Sequence, residues 1–267
     1  MEQIIKKAKD LLEKNTVQVV IGYGEGSKNR VRPVFITKPE DAEKLIYDDR
    51  CIQNLAVYIL KHEVKHLGKT GITAPYFVLR SILQLSSENQ IKEGELIILG
   101  VSSESNLIEF PDFKSIENYV ASFNLHITVQ EKELIEKIKK MSMEERFIYW
   151  TEVFSECFKC YACRSACPMC YCSRCTVDCN QPQWIPVASH ALGNLEWHIM
   201  RAMHLAGRCV NCGQCAEACP IDIPMNLLTY KLTEDLNEKF GMFAGAGATA
   251  EYALSTYKPD DKENFII

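Results

Sequence analysis

Apolar positions along the first half of the chain alternate between strand-like and helix-like spacing. Ile4, Ile5, Ala8, Leu11 and Leu12 fall on one face of an opening helix. VQVVIG (17–22) is a continuous apolar run that predicts a buried strand, stopped by a glycine loop at Gly22–Gly26, and VRPVFIT (31–37) predicts a second strand. In TKPEDAEKLIY, Pro39 sits in the first turn of a predicted helix, where its missing N–H costs nothing. NLAVYILKH (54–62) and APYFVLRSILQL (74–85) have helical spacing. ELIILGVS (95–102) reads as a central strand, and two further helices are expected over 114–122 and 130–140. Strands alternating with helices predict an α/β domain with a mainly parallel sheet.

Past residue 142 the strand signals stop. MEERFIYWTEVFSE (143–156) predicts a helix with Phe147, Trp150 and Phe154 on one side, expected to pack the second half of the chain against the α/β domain. A turn marked by Pro182 and Pro186 precedes a helix from about Gly193 to Ala206, and IPMNLLTYKLTEDLNEKF predicts another. The glycine-rich GMFAGAGATAEY and the polar residues after it read as an extended tail, 241–267, laid over a surface.

Composition changes this picture in one respect. Apolar residues at 47% and charged residues at 24% are ordinary for a globular protein. A net charge of −5, with no basic stripe, argues against nucleic-acid binding. No apolar run approaches the roughly 18 residues of a membrane span. The opening helix lacks the apolar stretch of a signal peptide, so a cytoplasmic location is expected. The departure is cysteine: there are 13, and all but Cys51 lie between Cys157 and Cys219. An odd, clustered set without an export signal fits a disulfide framework poorly and metal ligation well.

Cys157, Cys160, Cys163 and Cys167-Pro168 are spaced C-x2-C-x2-C-x3-C-P, and Cys209, Cys212, Cys215 and Cys219-Pro220 repeat the spacing. This is the bacterial ferredoxin run, in which three thiolates hold one 4Fe-4S cluster and the fourth ligates the other. Two-residue gaps let a tight loop present three sulfurs to one compact cluster. The longer gap throws the last cysteine across, and proline ends that loop. The expected ligand sets are Cys157, Cys160, Cys163 and Cys219 for one cluster, and Cys209, Cys212, Cys215 and Cys167 for the other. A ferredoxin-like α+β domain carrying two 4Fe-4S clusters and a cysteine-rich insertion is therefore expected over 143–240, behind an α/β domain over 1–142.

Cys170, Cys172, Cys175 and Cys179 follow C-x-C-x2-C-x3-C, which is not a ferredoxin run. A third iron–sulfur cluster, a zinc site and partly free thiols sheltered as small hydrophobes all remain open. His190, His198 and His204 are candidate extra ligands, against the plainer alternative of histidines packed on a helix face. Arg164, Arg174, Arg201 and Arg208 flank the cysteines in sequence and would raise the potentials of anionic clusters if they face them. The loop Gly22–Gly26 is not a G-x-G-x-x-G fingerprint, and a strand-to-strand turn is the simpler reading.

The stretches VQVVIGYGEGS, RPVFITKPEDAEKL, CIQNLAVYILK and SENQIKEGELIILGV, over roughly 15–105, resemble the coenzyme F420 hydrogenase/dehydrogenase beta-subunit family. ACPMCYCSRC followed by GNLEWHIMRAMHLAGRCVNCGQCAEACPIDIP resembles dicluster ferredoxin subunits fused to such a domain. The resemblance implies a flavin as a further cofactor, with Cys51, Asn54 and Arg80 marking the flavin or carrier region. Where many relatives carry Cys-Asp-x-Arg, this chain has Phe77, Val78, Leu79 and Arg80, so only the arginine remains. It also implies partners: a flavoprotein, hydrogenase, formate dehydrogenase or heterodisulfide-reductase-like subunit, and ferredoxin.

No acid–base pair, nucleophile constellation or phosphate loop stands out in the sequence. The expected function is an iron–sulfur electron-transfer subunit of an anaerobic oxidoreductase. The alternative is a self-sufficient flavoenzyme that oxidises reduced F420 or a nicotinamide and reduces ferredoxin. A redox-sensing or scaffold protein is a third possibility.

Overall fold

The computed structural model describes residues 1–123, 128–177 and 182–249. Its first half is an α/β unit, in which α1 (Glu2–Glu13) precedes β1 (Val19–Glu25) and β2 (Val31–Ile36). The order continues with α2 (His62–Lys65), β3 (Thr70–Ala74), α3 (Tyr76–Ser87), β4 (Leu96–Val101), β5 (Leu107–Glu109) and α4 (Phe113–Ala121). The sheet runs β2-β1-β3-β4-β5. Its centre, β1-β3-β4, is parallel, and both edge strands pair antiparallel.

Period-two alternation explains how this sheet is covered on both faces. Val20, Val34, Ile36, Leu99 and Val101 point to a core closed by Ile4, Ala8, Leu11 and Leu12 of α1. Val19, Ile21, Tyr23 and Ile72 point the other way, against Leu79, Ile82 and Leu83 of α3 and Ile116 of α4.

Four local expectations are corrected. β1 does not stop at Gly22; it continues through Gly24 to Glu25 and turns at Gly26–Arg30. Gly22 and Gly24 are needed inside the strand because Leu45 and Val34 crowd them: an added Cβ would lie 2.3 Å from Leu45 Cδ2 and 2.5 Å from Val34 Cγ1. NLAVYILKH is a single turn of 3-10 helix, Leu55–Tyr58, followed by the short α2. The extended backbone of Lys61 separates them. The predicted helix over 39–44 is likewise 3-10, and APYFVLRSILQL begins only after an unforeseen strand, β3, ending at Ala74.

The second half is a helical lobe: α5 (Val129–Lys140), α6 (Met143–Ser155), α7 (Ala162–Ser165), α8 (Ala191–Leu205), α9 (Gln214–Glu217) and α10 (Met225–Phe240). Thr128 with Glu131 and Ser142 with Glu145 form two capping boxes, so each helix starts at its own cap, and the extended Met141 separates the end of α5 from the start of α6. No strand occurs in this lobe among the described residues. Phe154 and Trp150 of α6 pack with Leu195 and Ala202 of α8 and Met225 of α10, inside the lobe. The expectation that α6 would pack against the α/β unit is thereby corrected, and Phe147 is exposed.

The lobe meets the sheet unit through α3 instead. Arg80, 2% exposed, donates to the Val210 carbonyl at 2.8 Å and to the Ala244 carbonyl at 2.5 Å. Gln84 accepts from the Gly245 N–H at 2.8 Å, and Gln214 donates to the Ile52 carbonyl at 2.7 Å. Gly245 has φ of +72°, and a Cβ there would lie 2.6 Å from the Arg80 carbonyl oxygen, so this strap admits only glycine. Segment 241–249 bonds to Gln84 of α3 and Glu117 of α4; residues 250–267, the rest of the expected tail, lie outside the described residues. Arg208 makes two bonds to Glu88, at 3.0 and 2.5 Å, and the Tyr171 hydroxyl donates to the same carboxylate at 2.6 Å.

Glu88→Ala would strand the half-buried Arg208 guanidinium and the Tyr171 hydroxyl between the two halves. The expected cost is about 2–4 kcal/mol, read as a lowered urea midpoint of the full chain. An unchanged midpoint would show that this junction contributes nothing to stability.

Candidate metal centres in the cysteine lobe

The repeated spacing folds into repeated geometry. In the first loop, Lys159 and Tyr161 have φ of +56° and +59°; at the matching places of the second, Asn211 and Gly213 have φ of +53° and +75°. Left-handed residues turn the chain sharply at the same two places of each loop. In each loop the residue two after the first cysteine donates its N–H to that sulfur, Lys159 to Cys157 at 3.3 Å and Asn211 to Cys209 at 3.4 Å. A one-turn helix follows in both, α7 and α9. The backbone N–H of the fourth cysteine then donates back into it, Cys167 to the Arg164 carbonyl at 3.2 Å and Cys219 to the Ala216 carbonyl at 2.9 Å. N–H donors aimed at sulfur favour the thiolate and raise the potential of a cluster that it ligates.

Cys157, Cys160 and Cys163 line one small cavity together with Cys219 from the far loop, closed by Lys159, Tyr161, Trp197 and His198. Cys209, Cys212 and Cys215 are electrostatic neighbours of one another. Cys167 packs with Cys209 against the core that holds Met169 and Leu205. Burial pushes the Cys163 thiol up to about 11 and that of Cys215 up to about 12. As free thiols they stay protonated at neutral pH, so ligation releases protons.

Asn194, fully buried on α8, fixes where the first loop begins. Its amide donates to the Phe154 carbonyl at 3.1 Å and the Cys157 carbonyl at 2.6 Å, satisfying groups that the end of α6 leaves open. The Lys159 ammonium donates to the carbonyls of Pro186 and Ala188, which ties the insertion to the same loop. His198 stacks on Phe154 with ring centroids 4.2 Å apart. Burial and the charges of Arg201 and Lys159 push its pKa down to about 3, and both buried ring nitrogens lack a partner among the described residues. Spacing alone gave no sign of Asn194, Lys159 or Trp197, whose positions come from tertiary packing.

Arg201 is the central cation. It is 3% exposed and donates to the Cys163 carbonyl at 3.0 Å, and its buried Nε and Nη1 have no partner among the described residues. Cys167, Cys170, Cys163 and Cys215 are the thiols that bear on it. A guanidinium so placed suits a negatively charged group among these sulfurs.

No three His, Cys, Asp or Glu side chains among the described residues converge on a single-ion site. Cys170, Cys172 and Cys175 line a second cavity, while Cys179 lies outside the described residues. Of the histidines named from sequence, His204 lines that second cavity and His190 caps α8, its Nδ1 accepting from Gly193 at 3.3 Å.

The residues expected to mark a flavin or carrier region lie elsewhere, beside the second loop. Asn54 donates to the Ser81 hydroxyl at 2.9 Å and also reaches Cys212, whose thiol burial raises and Asn54 lowers. Arg80 is engaged by the two lobe carbonyls. Cys51 is buried, accepts the Asp48 N–H at 3.4 Å, and is pushed up to about 11 by burial. Next to them opens a cleft of about 390 Å3, lined by Tyr76, Phe77, Asn211, Cys212 and Tyr230.

A lobe with two such loops is that of an iron–sulfur protein, and the 4Fe-4S binding domain family matches residues 205–225, around the second loop. Over most of its length the chain is similar to the F420-dependent formate dehydrogenase subunit beta of Methanocaldococcus jannaschii, 31% identical over 229 residues, 80% of this chain. It is also similar to the F420-dependent formate dehydrogenase 1 subunit beta of Methanococcus maripaludis, 31% identical over 122 residues, 45% of this chain. The chain spans 60% of the first relative's length and 31% of the second's. The resemblance to F420 dehydrogenase β subunits, joined to a 4Fe-4S domain, therefore stands. No helix among the described residues is long and apolar enough to cross a membrane.

Gly213→Ala isolates the backbone requirement of the second loop, because nothing lies within 4 Å of the added methyl. The expected loss is about 1 kcal/mol or more, measured by urea unfolding of the iron-loaded chain. No loss would mean that the left-handed turn is not required.

Proposed function

We propose that the chain is the iron–sulfur electron-transfer subunit of a multi-subunit anaerobic oxidoreductase. It relays single electrons between a catalytic or flavin-bearing partner and a low-potential carrier. The observation that carries this reading is the twofold repetition of one thiol-presenting loop around a buried arginine. One 4Fe-4S cluster is assigned to Cys157, Cys160, Cys163 and Cys219, and a second to Cys209, Cys212, Cys215 and Cys167. The clusters supply reversible one-electron chemistry when bound. The chain's own residues hold them apart from water and set their potentials: Lys159 and Asn211 through their N–H groups, Arg201 through its charge, and Trp197 and Phe154 through dry packing.

The names of the relatives supply the class of partner: other redox subunits, as in a formate dehydrogenase. An exposed apolar strip on α6, Met143, Phe147 and Ile148, suits a subunit that is covered in its complex. Isolation from the native host is expected to yield the chain with a co-eluting redox subunit and at least about eight irons per chain, four to each cluster. A lone, iron-free chain would count against the reading.

The cleft beside Cys212 favours a second reading, a flavoenzyme that oxidises reduced F420 or a nicotinamide and reduces ferredoxin. Its aromatic walls are suited to a planar ring and adjoin the second loop. Stoichiometric flavin in the isolated chain, reduced by such a donor, would establish it. Intact clusters without flavin would dispose of it.

Arg201→Met removes a buried positive charge from among the thiolates. Midpoint potentials are expected to fall by on the order of 50 mV, about 1 kcal/mol for one electron, in a redox titration followed by electron paramagnetic resonance. Unmoved potentials would show that the guanidinium does not act on the clusters.

A further inference from the structure

Cys170, Cys172 and Cys175 belong to neither repeated loop, yet they line one cavity of about 320 Å3. Its walls are apolar where Met169, Val177, Trp197 and Leu205 form them, and cationic where Arg164, Arg201 and Arg208 do. Glu88 neutralises Arg208. Among the described residues Arg201 has no carboxylate partner; its side chain bonds Cys170, while its buried Nε and Nη1 find no hydrogen-bond partner there. A largely apolar wall that brings three thiols to a buried guanidinium suits an anionic occupant.

The repeat shows where the extra thiols depart from the pattern of the loops. The Cys170 N–H donates to the Cys167 carbonyl at 3.1 Å, and its counterpart in the second loop is Asp222, donating to the Cys219 carbonyl at 3.3 Å. Asp222 is an exposed carboxylate, whereas Cys170 is half-buried against the core.

We propose that Cys170, Cys172 and Cys175 hold a third iron–sulfur cluster in this cavity, with Arg201 as the counter-charge it shares with the second. The assignment goes beyond the electron-transfer reading, which needs only two clusters. It places the new centre next to Cys167, at the Trp197 side of the lobe.

The test uses the full chain isolated anaerobically with its native iron. Iron, sulfide and zinc are counted in the wild type and in the Cys170→Ser/Cys172→Ser/Cys175→Ser variant. The expected wild-type value is about eleven or twelve irons, falling to about eight in the variant. Cys172 is exposed, so as a free thiol it would react readily with iodoacetamide. Ligated, it is expected to stay unmodified until the iron is chelated, a readout that does not depend on the variant folding. Eight irons in the wild type, stoichiometric alkylation of Cys172 with iron retained, or zinc in place of the lost iron would each overturn the third cluster alone. Fewer than about eight would overturn the two-cluster reading as well.

Discussion

The second half of this chain serves one constraint: two short loops, far apart in sequence, must each hold a pair of left-handed residues and present three sulfurs. Left-handed backbone is costly for a residue with a side chain, and Lys159, Tyr161 and Asn211 all adopt it. The surrounding contacts over-determine it. Lys159 is anchored on the insertion, Tyr161 packs edge-on against Trp197, and Asn211 accepts from Thr233 of α10. The insertion, α8 and α10 are thus the scaffold of the loops rather than appendages to them. Negative charge gathered at these loops requires fixed donors and cations, and Arg201 meets that requirement from the middle of α8.

The α/β unit supplies the platform. Its helix α3 meets the second loop through Arg80 and Gln84, and its 3-10 turn brings Asn54 to Cys212. The retained arginine of the family's segment is in this chain a bracket between halves, holding Val210 and Ala244 by their carbonyls. One core joins the two parts, since Met169 and Leu205 pack with Ile72 and Leu79 in the same cluster. A centre bound at the second loop would therefore be held rigidly against the cleft lined by Tyr76 and Phe77. That is the geometry a relay needs at its point of exchange.

Much of this was legible in the sequence, for physical reasons. Cysteine spacing encodes loop geometry directly, so the two runs predicted both loops and their repetition. The capping boxes at Thr128 and Ser142 have local causes and local signatures. Gly22 and Gly24 misled because glycine marks close approach as well as turns, and Leu45 and Val34, which crowd them, could not be placed from sequence. NLAVYILKH has helical spacing, but Asn54 caps a tight 3-10 turn beneath α3. The α6 helix was assigned the wrong neighbour because an apolar stripe specifies that a face is buried and not what buries it. The structural role of Asn194 carried no signal at all, whereas His198 packs on a helix face, the plainer of its two readings.

The central claim, that each loop lends its last thiolate to the other loop's cluster, is tested most directly by comparing single serine variants. Paramagnetic resonance spectra of the reduced, anaerobically isolated chain would be recorded for Cys219→Ser, Cys160→Ser and Cys212→Ser. The account predicts that Cys219→Ser perturbs the same signal as Cys160→Ser and leaves intact the one that Cys212→Ser perturbs. Perturbation of the Cys212 signal instead would contradict it.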